Sequence, residues 1–267
     1  MLEMVLLAAA GTVAGVVNVV AGGGSLLTIP LLIFFGLPAT VANGTNRVAI
    51  LVQNVGATAS FHRRELVPWV WMRIAAPASL VGAGFGTWTA ISVGDLALRR
   101  ILAVVMVVAA LFTIRRPAYL RASSDKDGRS GDPMGSAGVP PGRGPALAGV
   151  IAGFFAIGFY GGLIQAGIGF LALAVFSTLG VGLIRANALK VATILVFTPL
   201  TLVIFWMDGS VDWGFGAALA LGNFAGGLIG VRLQVLKGNR WVAGFVTVAV
   251  IGFAVRLVLE DLLRLLD

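Results

Sequence analysis

One stretch limits what this chain can become: Ala21 to Asn54, AGGGSLLTIPLLIFFGLPATVANGTNRVAILVQN. It lies inside apolar sequence long enough to cross a bilayer. Yet it carries three consecutive glycines (Gly22, Gly23, Gly24), Ser25, asparagines and a full charge, Arg47. Hydrocarbon does not accept unpaired backbone or an unpaired charge without compensation. We read the stretch as one half of a substrate site and the rest of the chain as what holds it.

Composition supports a membrane setting. Of 267 residues, 58% are hydrophobic and 11% charged, where a soluble domain carries about a quarter charged. Several apolar runs reach the roughly 20 residues that span hydrocarbon. They are continuous and rich in Ala, Val, Leu and Gly, unlike the short alternating strands of a β-barrel. The pattern predicts an all-α polytopic membrane protein, with lipid as one partner. The formal charge of +8 sits mostly in loops, where basic residues act as orientation signals, so no nucleic-acid partner is expected. With no cysteine, disulfides, thiolate metal sites and Cys nucleophiles are excluded. The opening MLEMVLLAAAGTVAGVVNVV lacks a basic n-region and carries Glu3, so it reads as structure and not as a signal peptide.

Apolar segments fall near 4–20, 25–36, 43–61, 70–91 and 98–114, and again near 145–164, 168–180, 186–206, 213–232 and 240–259. Between them, residues 115–144 are rich in Gly, Pro, Ser and charge, and read as a linker. The division is a first repeat at 1–114 and a second at 145–267. GLPATVAN, ending at Asn43, matches GVGLIRAN, ending at Asn187; Val67–Trp69 matches Val211–Trp213; Gly82 and Gly86 match Gly226 and Gly230, all at one offset. AGGGSLL (Ala21–Leu27) matches AGIGFLA (Ala166–Ala172) with a one-residue slip. Transporters are often built from such repeats, with the site between them.

Charge bears on whether the repeats are parallel or inverted. The loop His62–Glu65 carries Arg63 and Arg64, while its equivalent, Met207–Asp212, carries only acids. Positive loops face the cytoplasm, which places the two loops on opposite sides. Arg115, Arg116, Arg121, Lys126, Arg129 and Arg143 make the linker cytoplasmic, and Arg232, Lys237 and Arg240 follow it. Five segments per half, with the glycine break separating two short ones, give an inverted arrangement. Arg99 and Arg100 would then lie near the outer face, against the rule. One kinked helix in place of each short pair gives four segments per half and a parallel arrangement. The inverted five-plus-five reading accounts for more of the charge pattern.

A helix from Asn43 onward puts Asn43, Asn46, Arg47, Gln53, Asn54 and Thr58 on one broad stripe. The second half places Asn187, Lys190, Thr198 and Thr201 likewise, with Thr198 standing for Asn54. Each half thus offers a cation near a helix start, where free N–H groups and the dipole also favour an anion. Snorkelling to the interface explains a lone cation as well; two on matched polar stripes favour a binding role. Arg47 is the stronger candidate, since guanidinium holds two oxygens of an oxyanion. Gly23 and Gly24, with Gly167 and Gly169, allow backbone to unwind and approach a ligand. Close packing also recruits glycine, but three in a row cost about 1 kcal/mol each against Ala in a helix. Gln165, directly before the second break, joins the candidates.

Other features read as structure. The GxxxG pairs Gly82/Gly86 and Gly226/Gly230 are helix contacts. Asn18 and Asn223 are packing amides. His62 is a solvated loop residue. Trp69, Trp71, Trp88, Trp206, Trp213 and Trp241 lie near segment ends, as in an interfacial belt. No Asp or Glu falls inside an apolar segment, no P-loop is present, and no cofactor or metal site is called for.

These motifs carry a resemblance. AGGGSLLTIPLL, ATVANGTNR and FHRR in the first half, with GFYGGLIQAGIGFLALA, NALK and GNFAGGLIGVRL in the second, resemble the TauE/SafE family over nearly the whole chain except the linker. The resemblance implies a multi-pass protein of the bacterial inner membrane that moves sulfite, organosulfonates or related sulfur anions. Gln165 and Phe170 depart from the small residues usual there, which makes one side of the site less polar. The expected function is a secondary transporter or facilitator of a small sulfur oxyanion. An anion channel and an accessory membrane subunit are the alternatives, and a homodimer is compatible with either. Lacking buried acid–base groups, the chain does not read as an enzyme.

Residues 115–143 have no counterpart in the second half. Deleting most of them, while leaving enough chain to bridge 114 and 144, is expected to leave uptake into vesicles intact. A single cysteine at Ser130 should react with a membrane-impermeant maleimide only in inside-out vesicles.

Overall fold

The computed structural model describes residues 2–20, 22–114 and 140–237. They form α1 (Leu2–Val20), α2 (Ser25–Phe34), α3 (Ala39–His62), α4 (Trp69–Ser92), α5 (Asp95–Ile114), α6 (Pro145–Leu163), α7 (Ile168–Thr178), α8 (Leu183–Met207) and α9 (Trp213–Lys237). No strand occurs among the described residues. The segment expected near 240–259, Trp241 and residues 115–139 lie outside them. Of the described helices, α1, α4, α6, α8 and α9 are long and apolar enough to cross a membrane. α3 has the length, 24 residues, but its polar stripe lowers its hydropathy. It is tolerable there because Asn43, Asn46, Arg47, Gln53 and Asn54 are all buried against protein.

Local sequence sets the helix ends. The two breaks fall at equivalent glycines: Gly22 has φ +83° and Gly167 φ +73°, left-handed backbone that only glycine adopts freely. α2 is therefore a separate helix of 10 residues, roughly 15 Å at 1.5 Å per residue, about half the hydrocarbon thickness. Pro38 precedes α3, whose N-terminus is capped from α5: the Thr40 N–H donates to Asp95 Oδ1 at 2.9 Å. Asp212 caps α9 in the same way, accepting from the Phe215 N–H at 2.9 Å. Pro145 opens α6 at its first turn.

Small residues set the packing. α1 lies along α9, and α4 along α6. A Cβ on Gly222 would strike the Ala8 carbonyl, and one on Gly226 the Thr12 carbonyl; from the other side, a Cβ on Gly15 would lie 2.6 Å from the Asn223 carbonyl oxygen. In the second pair, Gly82 and Gly86 abut the Phe155 and Phe159 carbonyls, and Gly158 and Gly162 abut those of Ser79 and Ala83. Numbers rise together along both pairs, so each runs parallel. The GxxxG residues are helix contacts, as expected, and the contacts they make join one half of the chain to the other.

The same kind of contact fixes the remaining directions. α3 runs parallel to α9: Thr45 and Val48 face Gly216, and Gly56 faces Phe224 and Leu228. α4 runs parallel to α8, with Met72 beside Thr193 and Gly84 beside Leu200. α3 and α8 run antiparallel. Gly44 abuts Ser210 and Phe205 at one end, and Arg185 Nη1 donates to the Glu65 carbonyl at the other (3.1 Å).

One belt residue is misplaced by sequence. Trp71 is 1% exposed and lies in the core with Phe61, Phe154 and Phe176. Trp69 and Trp71 are two positions apart, about 200° around a helix, so with Trp69 outward Trp71 must point in. Trp69, Trp88, Trp206 and Trp213 are exposed. His62 ends α3, exposed, and accepts a hydrogen bond from Trp69 Nε1 at 3.3 Å.

Gly86→Val and Gly226→Val are expected to destabilise by at least the roughly 1–3 kcal/mol of an overpacked contact. Gly84→Ala, whose new Cβ would lie 3.8 Å from the nearest atom, Leu200 Cδ2, should be neutral. Thermal unfolding in detergent checks this; equal melting of all three variants would contradict the packing described.

Candidate functional site

The two glycine breaks meet. The Gly169 N–H donates to the Gly22 carbonyl at 3.2 Å, and a Cβ on either residue would collide with the other's backbone. The N-termini of α2 and α7 therefore converge on one crossing inside the protein. Helix N-termini carry unsatisfied N–H groups and the positive dipole end.

Each half holds the other just before its break. Arg47, on α3, donates from Nη2 to the Gly162 carbonyl at 2.6 Å, and Asn43 Nδ2 to the Leu163 carbonyl at 2.9 Å. These are the last carbonyls of α6, the negative end of that helix. Lys190, on α8, donates from Nζ to the Asn18 and Val19 carbonyls, at 2.9 and 3.0 Å, the corresponding end of α1. Both cations thus meet helix C-termini, where a positive charge is favoured, a partner that the reading from helix starts does not include.

The two cations are used differently. Lys190 spends its third donor on Asn187 Oδ1 at 2.6 Å, and Asn187 Nδ2 donates to the Leu183 carbonyl at 3.2 Å. An ammonium has three donors, so Lys190 is saturated by protein. Arg47 is not. It is 0% exposed, its guanidinium lies 4.7 Å from the ring centre of Phe205, and its Nε and Nη1 have no partner among the described residues. Asn43 Oδ1 and both amide atoms of Gln165 are likewise buried and unpartnered. Gly162 takes one hydrogen of Nη2; the other, paired with the free Nε or the free Nη1, can offer the two-pronged fork that matches an oxyanion.

Ser25 and Asn46 close this side. Asn46 Nδ2 donates to Ser25 Oγ at 3.1 Å, and Thr28 Oγ1 donates to Asn46 Oδ1 at 2.6 Å, tying the start of α2 to α3. Sequence reasoning passed over Thr28, although it lies one turn beyond Ser25. It passed over Thr87, which donates to the Gly162 carbonyl at 3.2 Å, and Tyr160, whose hydroxyl donates to the Ala166 carbonyl at 2.5 Å. Phe205 carries no sequence signal that links it to Arg47. Further along the stripe of α3, Gln53, Asn54 and Thr58 are buried with side-chain atoms unpartnered. On the matching stripe of α8, Thr198, the counterpart of Asn54, and Thr201 bond carbonyls of α8 itself.

The model of the family described as sulfite exporter TauE/SafE matches residues 7–257. The chain belongs to the TauE/SafE family. It is 28% identical over 252 residues to the probable membrane transporter protein ORF9 of a Sinorhizobium species, covering 94% of this chain and 90% of that one. It is 28% identical over 235 residues to the probable membrane transporter protein YfcA of Escherichia coli K12, covering 88% and 82%. A probable membrane transporter protein of Haemophilus influenzae is 25% identical over 250 residues, covering 92% and 90%. No solved structure matches. The chain is thus a multi-pass membrane transporter of this family.

Lys190→Met is expected to destabilise the fold by roughly 2–3 kcal/mol, the worth of charge-assisted hydrogen bonds to buried carbonyls. Arg47→Lys keeps a donor for the Gly162 carbonyl and should retain most of the thermal stability, while losing the stabilisation that added sulfonate or sulfite confers on the unmodified protein. Melting curves with and without anion separate the two outcomes.

Proposed function

We propose that the protein is a secondary carrier for a small sulfur oxyanion, sulfite or a short organosulfonate, across the bacterial inner membrane. The observation that carries this reading is Arg47: fully buried, in a membrane helix, with two donors unused. A buried charge with unmet hydrogen bonds is costly, and a bound oxyanion removes that cost. The converging N-termini of α2 and α7, with backbone at Gly23, Gly24 and Gly167, would add N–H groups, while Gly169, whose N–H is held by the Gly22 carbonyl, fixes the crossing. Ser25, Asn43, Asn46 and Gln165 would complete the polar wall. Lys190 and Asn187 act through α1, by holding the break in place. Phe170, which packs against the apolar core, gives one side of the site an apolar character suited to an organic tail. The family description as a sulfite exporter supports the same substrate class.

The helix directions support two inverted repeats. α1, α3 and α9 run one way, and α4, α6 and α8 the other, so the equivalent helices α3 and α8 oppose each other. Arg63, Arg64, Arg73, Arg143, Arg185 and Arg232 gather at the end where α3 stops. Glu65 lies with them, and Glu3, Asp95, Asp208 and Asp212 lie at the other end, with Arg99 and Arg100. By the positive-inside rule the arginine end is cytoplasmic.

Among the described residues, each Asp, Glu and His lies in a loop or within one turn of a helix end. None of these described carboxylates, nor His62, is buried where it could shuttle a proton. Transport is then expected to run down the substrate gradient, biased by membrane potential at roughly 2.3 kcal/mol per charge per 100 mV. Purified protein in liposomes, given a sulfonate of constant charge and a proton gradient at clamped zero potential, should accumulate nothing uphill. Uptake should saturate with sulfonate concentration; a flux that stays linear would favour a channel, and uphill accumulation would demonstrate proton coupling.

A further inference from the structure

A second polar feature lies away from the crossing. A groove of about 570 Å³ runs between α3 and α9, lined by Gly56, Ala59, Ser60, Arg63, Arg64, Phe224, Leu228 and Arg232. We infer that this groove is a binding site for one anionic phospholipid, with the phosphate held by Arg63, Arg64 and Arg232 and an acyl chain lying over Phe224 and Leu228.

The helical register makes the groove amphiphilic along its length. On α9, Phe224, Leu228 and Arg232 follow at intervals of four and share one stripe. On α3, Gly56, Ser60 and then Arg63 and Arg64 rise toward the same end. From Gly56 to Arg63 is seven residues, roughly 10 Å along a helix. The apolar part thus sits at acyl depth when the arginines sit at headgroup depth. Gly56 supplies the floor: a Cβ there would lie 2.6 Å from Phe224 Cε2.

The groove lies on the outer surface of the helices, with Ala59, Arg63, Arg64, Phe224 and Arg232 exposed along it. The apolar residues beside it are lipid-facing: Val55 is 52% exposed and Leu221 74%. That surface position favours a lipid over a dissolved anion. Arg63, Arg64 and Arg232 form no ion pair among the described residues, and no carboxylate lines the groove. Three guanidinium groups gathered without a counter-charge repel one another, and a phosphodiester relieves this with forked hydrogen bonds. Basic pockets between membrane helices on the cytoplasmic side take anionic headgroups for the same reasons.

The test uses the full-length protein in nanodiscs or detergent, reading binding and melting temperature, not transport. Phosphatidylglycerol should raise the melting temperature above that in phosphatidylcholine, and it should be retained through purification as judged by native mass spectrometry. Arg63→Gln, Arg64→Gln and Arg232→Gln should each lower phosphatidylglycerol affinity roughly fivefold, since a basic residue near the surface is worth about 1 kcal/mol to an anionic lipid. Their melting temperatures in phosphatidylcholine should not change, because all three side chains are exposed. Leu228→Glu, which places a carboxylate in the apolar part, provides a second, sterically mild block. Inorganic phosphate at millimolar concentration should neither reproduce the shift nor displace the lipid. Equal stabilisation by both lipids, or full competition by inorganic phosphate, would overturn the proposal.

Discussion

The structure depends on one reciprocal interaction. Each half ends its first helix inside the protein, leaving buried carbonyls at Asn18, Val19 and Gly162, and each half supplies the cation that satisfies the other. Arg47 and Asn43 reach Gly162 and Leu163; Lys190 reaches Asn18 and Val19. In hydrocarbon an unpaired carbonyl costs several kcal/mol. A broken helix in one half is therefore tolerable only with the polar stripe of the other half in place. The same reciprocity accounts for the expense of burying two full charges. Each is offset by helix-end carbonyls and not by a carboxylate, so the site remains electropositive overall.

The symmetry is incomplete, and the departure from it matters. At the repeat offset, Lys190 aligns with Asn46, and Arg47 with Val191. An ammonium at 190 is used up by two carbonyls and Asn187 Oδ1. A guanidinium at 47 has five donors, of which Nη2 satisfies the helix end, leaving Nε and Nη1 free. Lysine in one half thus spends all its donors on capping, while arginine in the other caps and keeps donors in reserve. The stripes beyond the cations differ likewise: Thr198 and Thr201 satisfy themselves on their own helix, while Gln53, Asn54 and Thr58 have atoms left over.

Much of this is readable in the sequence. Triple glycine in an apolar run cannot continue a helix cheaply, so the breaks, and with them α2 and α7, are legible. GxxxG spacing identifies the contact faces, because only glycine lets two backbones touch. The capping role of Lys190 is not legible, since its carbonyl partners lie 172 and 171 positions away and a carbonyl leaves no mark in sequence. Phe205 is invisible for the same reason: nothing local links an apolar residue near the end of α8 to a cation at the start of α3. Hydropathy alone undervalues α3, whose polar face is buried by its neighbours and never meets lipid.

The two kinds of contact also sort the helices into units. Carbonyl-to-glycine packing joins α1 to α9 and α4 to α6, at distances that leave no room for even a methyl group. α3 lies along α9, and α8 along α4. The tightly packed units, α1 with α3 and α9, and α4 with α6 and α8, therefore each draw helices from both halves of the sequence. Between the units an apolar core joins Phe61 of α3 to Trp71 of α4 and Phe154 of α6, and polar contacts cross it: Arg47 to Gly162, Asn43 to Leu163, Lys190 to α1, and Gly169 to Gly22. Hydrogen bonds of this kind can exchange partners with an anion or with water, whereas interlocked glycine faces cannot separate without exposing backbone to lipid.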